Sequence, residues 1–203
     1  MLYILDLFGV LVFAITGCLR VRDKKLDLLG MVVIALVTAV GGGTTRDLLL
    51  GIHPIFWMRD LNYIWLALAG ALFTFATARF VPFPNRILLI ADALGLSVAA
   101  ILGVQISLTS GASIPIAIMM GMVSGTAGGV LRDILSNEIP LIFDSELYAT
   151  AALAGAIVFV ITRQITHQDE WATMLGISVV LVIRLIAIRL KITLPAFHAQ
   201  QPR

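Results

Sequence analysis

Three ionisable groups recur in register within an otherwise apolar chain. Arg46-Asp47, preceded by Gly42-Gly43, returns 86 residues later as Arg132-Asp133, preceded by Gly128-Gly129. At the same displacement Asp6 returns as Asp92, and the hydroxyl of Thr38 as that of Ser124. Ionisable groups inside apolar segments are functional candidates by default, because they are costly to keep there. The chemistry open to these is electrostatic. An arginine repels cations, so each Arg/Asp pair reads as a gate or as a structural brace at a rim. Sequence neighbours do not share a helix face, so each arginine is expected to pair elsewhere, with an aspartate across the repeat. Asp6 and Asp92 read either as carboxylates stabilised near a helix N-terminus or as cation-attracting vestibule groups, with Ser97 lining the same lumen.

The glycines admit two readings. Gly41, Gly42 and Gly43, and their counterparts Gly125, Gly128 and Gly129, could let helices pack closely through small residues. They could also break or kink a span, since glycine weakens a helix by about 1 kcal/mol relative to alanine. A kink is favoured because Thr38, Thr44, Thr45, Ser124 and Thr126 accompany them. Freed carbonyls are tolerated in hydrocarbon only where they face protein or water. Carbonyls near Gly42 and Gly129 would then be weak, transient ligands for K+ or Na+, as conduction requires. No catalytic set accompanies these residues: His53, His167 and His198 are scattered, no His-Glu-x-x-His or phosphate loop occurs, and an enzyme is not expected. Cys18, the single cysteine, offers neither an internal disulfide nor a metal cluster.

The elements that must carry this set are membrane helices. The 203 residues are 60% hydrophobic and 13% charged, with mean hydropathy +1.02, outside the range of soluble domains. Apolar runs of about 20 residues match the bilayer core and predict an all-α integral membrane protein. Seven transmembrane helices are expected, near 2–19, 28–50, 62–79, 87–105, 114–136, 147–163 and 172–190. Breaks fall at Arg20–Lys25, at Pro82–Asn85 and at Thr166–Glu170, with Trp57, Trp65 and Trp171 near helix ends as interfacial aromatics.

With the N-terminus outside, the inner side receives Arg20, Arg22, Lys24, Lys25, Arg79, Arg86, Arg132, Arg189, Lys191 and Arg203. The outer side receives Arg46, Arg59 and Arg163, which favours a cytoplasmic C-terminus. The basic residues therefore report topology, not nucleic acid. Arg184 lies inside the last span, where it either snorkels or bridges subunits.

The displacement of 86 also matches Gly9 with Gly95, Gly17 with Gly103, Pro54 with Pro140, Leu61 with Leu147 and Phe73 with Phe159. The chain reads as one membrane domain, 1–203, with a three-helix repeat at 1–80, a second at 87–166 and a seventh helix at 171–192 as a brace. An odd number of spans per copy makes the second copy inverted, with the working site near the midplane where the copies meet. Ile15-Thr16-Gly17-Cys18 looks like a lipoprotein cleavage site, but no basic segment precedes it. Asp6, Gly9 and Gly17 have repeat partners, so the first helix belongs to the fold.

Gly41-Gly-Gly-Thr-Thr-Arg-Asp-Leu48 and Gly125-Thr-Ala-Gly-Gly-Val-Leu-Arg-Asp-Ile134, each followed by a proline, resemble the bacterial branch of the TRIC family of trimeric intracellular cation channels. The resemblance spans essentially the whole chain. It implies a homotrimer in the bacterial inner membrane, each protomer holding its own pore for K+ and Na+, lined mainly by helices one, two, four and five. By motif, Gly41, Gly42, Gly43, Arg46, Gly125, Gly128, Gly129 and Arg132 carry over. The Lys-Glu-Val signature of animal members, tied to phosphoinositide, is absent. Bacterial relatives are also labelled glycine transporters, which makes a carrier of a small amino acid the alternative.

Overall fold

The computed structural model describes residues 2–24, 26–78, 80, 84–143 and 147–192. Lys25, Arg79, Pro82, His198 and Arg203, used above for topology, breaks and catalysis, lie outside these residues. The described residues form α1 (Leu2–Val21), α2 (Leu28–Leu50), α3 (Phe56–Arg59), α4 (Asn62–Thr77), α5 (Asn85–Thr109), α6 (Ile114–Leu135), α7 (Ala149–Thr166) and α8 (Asp169–Leu190), with no strand among them. Six of these are long and apolar enough to cross a membrane; α4, with 16 residues, is a shorter apolar helix.

Local chemistry sets the ends. Asp27 caps α2 by accepting the Gly30 N–H at 2.8 Å. Gly51 ends that helix at φ 67°, its N–H returning to the carbonyls of Asp47 and Leu48. Asn137, 86 residues on, takes φ 52° after α6, a left-handed position that glycine and asparagine tolerate best. The fourth expected helix, α5, runs on to Thr109 instead of stopping at 105. Its polar residues do not end it, because the Ser107 and Thr109 hydroxyls bond back to the carbonyls of Gly103 and Gln105, at 2.7 and 3.1 Å. The last helix starts at Asp169, earlier than expected, with Asp169 and Glu170 in its first turn where a helix favours acid. The single turn α3 was not expected.

Large apolar side chains face outward: Leu49, Phe73 and Trp65 are among the most exposed residues. Alanines recur in the interior. Ala14, Ala35, Ala67 and Ala71 sit in a core shared by α1, α2 and α4. Ala100, Ala117, Ala151 and Ala156 sit in a second core shared by α5, α6, α7 and α8. Small residues let helix backbones approach where lipid removes the hydrophobic drive between helices.

The two cores meet where α2 crosses α6, and the crossing is reciprocal. A Cβ on Gly42 would lie 2.0 Å from the Ser124 carbonyl oxygen, and one on Gly128 would lie 2.4 Å from that of Thr38. Both helices run unbroken through their glycines, and no interruption of the helix falls at Gly42 or at Gly129. Glycine here removes the side chain between two backbones.

Candidate functional site

Each motif aspartate does two things at the last turn of its helix. The Asp47 carboxylate accepts from Arg46 Nε and Nη2, at 2.9 and 2.6 Å, and from the Phe56 N–H beyond Pro54, at 3.0 Å. The Asp133 carboxylate accepts from Arg132 Nε and Nη2, at 2.9 and 3.2 Å, and from the Leu141 N–H beyond Pro140, at 3.0 Å. Pairing of each arginine with its own neighbour corrects the expectation of pairing across the repeat. The face rule concerns Cβ positions; an arginine is long enough to curl back onto a carboxylate that is already turned toward the following loop. The aspartates are braces that tie the post-proline segment to the helix end.

The two copies then diverge. Arg132 is fully buried and also donates from Nη1 to Asp92 at 2.6 Å. Asp133 gains a second cation, Arg20 from the end of α1, with Nε at 3.1 Å. Beside them Lys24 pairs with Glu138 at 2.9 Å and donates to the Ser136 carbonyl. The Lys24 ammonium, by donating to the exposed Glu138 carboxylate, holds it below its usual range. Asp92 lies two turns inside α5, paired, so it neither caps a helix nor lines a vestibule. Ser97 is buried, and its hydroxyl turns back to the Leu94 carbonyl at 2.8 Å. It does not line a lumen.

The first copy faces an opening. Arg46 donates to Ser124 Oγ at 3.4 Å, a weak contact that does cross from one copy to the other. Asp6 is not bonded to Arg46; it accepts the Tyr63 hydroxyl at 2.8 Å. Asp6, Thr38, Gly42, Gly43, Arg46 and Ser124 all line one cavity of about 20 Å³, with Phe56 and Leu102 among its apolar walls. That volume holds one or two waters. Asp6 and Leu102 also line a wider, open recess with Tyr3, Gln105 and Thr109. Asp6 therefore stands between recess and cavity.

Most of the remaining hydroxyls are spent on their own helices. Thr38, Thr44, Thr45 and Thr126 donate to the carbonyls four residues back, at 2.6 to 2.9 Å. Thr44 also accepts from the Trp57 indole at 3.0 Å, which fixes α3. Gly41 and Gly125 serve packing, against Leu131 and Ala100. Arg184 neither snorkels nor reaches outward: it is fully buried, its guanidinium 4.8 Å from the Tyr148 ring centroid. Sequence reasoning missed Tyr63, Phe56 and Tyr148 at the site and counted Arg20 only as a topology charge. An aromatic two residues after Pro54 was the available signal for Phe56.

A bundle of apolar helices with a charged crossing and a small cavity at its centre defines a polytopic membrane protein. The family described as "Glycine transporter" matches the chain twice, at residues 3–79 and 89–164. The UPF0126 membrane protein of Vibrio cholerae is 41% identical over 97% of this chain and 83% of its own length. The UPF0126 inner membrane protein YadS of Escherichia coli K12 is 40% identical over 97% and 96%. Among solved structures, the TRIC trimeric intracellular cation channel orthologue from Rhodobacter sphaeroides superposes with TM-score 0.90 at 40% identity, covering 94% of this chain and 98% of that one. A second TRIC cation channel gives TM-score 0.89 at 34% identity over 98% of both chains. The chain belongs to the bacterial TRIC family, whose curated relatives carry the UPF0126 name, and it has the TRIC channel fold.

Proposed function

We propose that the protein is a channel for monovalent cations, K+ and Na+, built as a homotrimer with one pore in each protomer. The observation that carries this reading is the cavity at the α2–α6 crossing. A carboxylate at Asp6, hydroxyls at Thr38 and Ser124 and the Arg46 guanidinium converge there, in the fold of relatives described as cation channels. Side chains, not freed carbonyls, supply its polar lining, which gives an ion weak contacts at several points, as conduction needs. The pathway lies between two inverted three-helix repeats, 1–80 and 87–166. Any bend that opens it develops at the glycines of α2 and α6. The N-terminus faces outward, so the Asp6 recess is the outer mouth and the Arg132 cluster the inner seal, in the inner membrane of a bacterium. Purified protein in planar bilayers should give unitary K+ currents; saturable glycine counterflow with no single-channel events would refute this reading. Cysteine labelling should find residues 20–25 on the cytoplasmic side.

A carrier of glycine or a similar amino acid is the second reading. It is favoured by the name of the matching family. Against it stands size: a space for one or two waters does not admit five non-hydrogen atoms with both ends solvated.

A further inference from the structure

The second glycine of each motif copy leaves a space, and in both copies an aromatic residue from beyond the proline fills it. Phe56 Cε1 lies 2.6 Å from where a Cβ on Gly43 would stand, and the Tyr148 hydroxyl lies 3.0 Å from the corresponding point at Gly129. Tyr148 is buried beneath Arg184. Phe56 is only partly buried and forms a wall of the cavity that Asp6 and Arg46 line. The helix crossing does not need this ring, because Gly42 and Gly128 make the crossing.

The base of Phe56 is fixed by hydrogen bonds, and its ring rests against Gly43 through apolar and edge contacts. Its N–H is bound by Asp47, and the adjacent Trp57 by Thr44. The ring itself has an edge contact with Tyr63, centroids 4.8 Å apart, and the Arg46 guanidinium 5.7 Å from its centroid. We propose that Phe56 is the outer hydrophobic gate of the ion pathway, a ring whose rotation off Gly43 widens the cavity. The proposal rests on the channel reading above. An apolar ring standing across a cavity of about 20 Å³ keeps out a hydrated ion. Tyr63 links the gate to the mouth, since the hydroxyl that donates to Asp6 belongs to the ring packed on Phe56. A cation at Asp6 competes for that carboxylate and loosens the neighbour that holds Phe56 in place.

The test is unitary K+ recording from wild type, Phe56→Ala, Phe56→Leu and the exposed control Phe73→Ala, each checked by size exclusion. Phe56→Ala should raise conductance or open probability by about twofold or more, with Phe56→Leu between it and wild type and Phe73→Ala unchanged. Should Phe56→Ala not fold, Phe56→Leu and Phe56→Cys carry the test. A cationic methanethiosulfonate reagent should block Phe56→Cys and leave wild type unaffected, because Cys18 is buried. Wild-type conductance in Phe56→Ala together with no reagent effect on Phe56→Cys would overturn the gate. If wild type carries no current but takes up glycine in vesicles, the channel reading fails while the barrier is still scored. Uptake insensitive to Phe56→Ala and to modified Phe56→Cys then rejects it.

Discussion

Arg46 and Arg132 occupy the same place in the same motif, yet they live in different electrostatic surroundings. Arg132 has no solvent exposure and bonds two carboxylates, Asp92 and Asp133. Arg46 bonds one, Asp47, leans weakly on Ser124 and borders a cavity. The difference comes from residues outside the motif. Tyr63 occupies Asp6, whereas the position 86 residues on is Ala149, and Asp92 bonds Arg132. Arg20 gives Asp133 a second cation, whereas its counterpart, Ile106, gives Asp47 none. A repeated motif thus specifies a repeated scaffold, while its neighbours decide which copy is fully buried and which borders a cavity.

The largest effect that would sharpen this contrast is on stability. Arg132→Met should cost about 3–5 kcal/mol, because it strands the fully buried Asp92 carboxylate and leaves Asp133 with Arg20 as its one remaining cation. Arg46→Met should cost about 1–3 kcal/mol, since Asp47 keeps its backbone N–H and the cavity admits water. Thermal unfolding in detergent measures both, and equal losses would erase the distinction.

A middle-sized effect separates the glycines. Gly128→Ala drives a Cβ into the Thr38 carbonyl and should destabilise by about 1–3 kcal/mol, as should Gly42→Ala at its reciprocal contact. Gly129→Ala meets the end of a tyrosine side chain instead and should cost less than about 1 kcal/mol. If Gly129→Ala proves the worse of the two, the crossing does not sit where the backbones touch.

The smallest effect is on pH. Lys24 holds Glu138 below its usual carboxylate range, so the pair adds stability above the unfolded value of about 4.3. That stability is lost as pH falls through the lower folded value. Acid should loosen the Lys24–Glu138 contact beside the Arg132 end, a contact with no equivalent at the Arg46 end, where Ile52 replaces Glu138. Glu138→Gln should flatten the melting temperature between pH 7 and about 3; an undiminished acid response in that variant would assign it elsewhere.

The long helices were legible because apolar length is a property of the segment itself. The one-turn α3 was not, since four residues carry no periodicity and the turn is held by Asp47 and Thr44 from another helix. Asp6, Thr38, Gly42, Gly43, Arg46 and Ser124 were all named from sequence and share one cavity. Asp92 and Ser97 were named with them and do not, because duplication shows which positions match and not whether their surroundings do. The partners of the charges also escaped. A rule about helix faces says nothing of how far a guanidinium reaches, and a loop arginine such as Arg20 looks like any other inner-side charge.

The crossing of α2 and α6 has a mechanical consequence. Two rods that touch through backbone at one point cannot slide past each other without a clash, but they can turn about that point like the blades of scissors. Spreading one pair of ends about such a pivot draws on the other pair. Whatever moves Arg46 away from Ser124 must therefore be felt at the Arg132 end, and a cross-link placed on one side of the pivot should stiffen both.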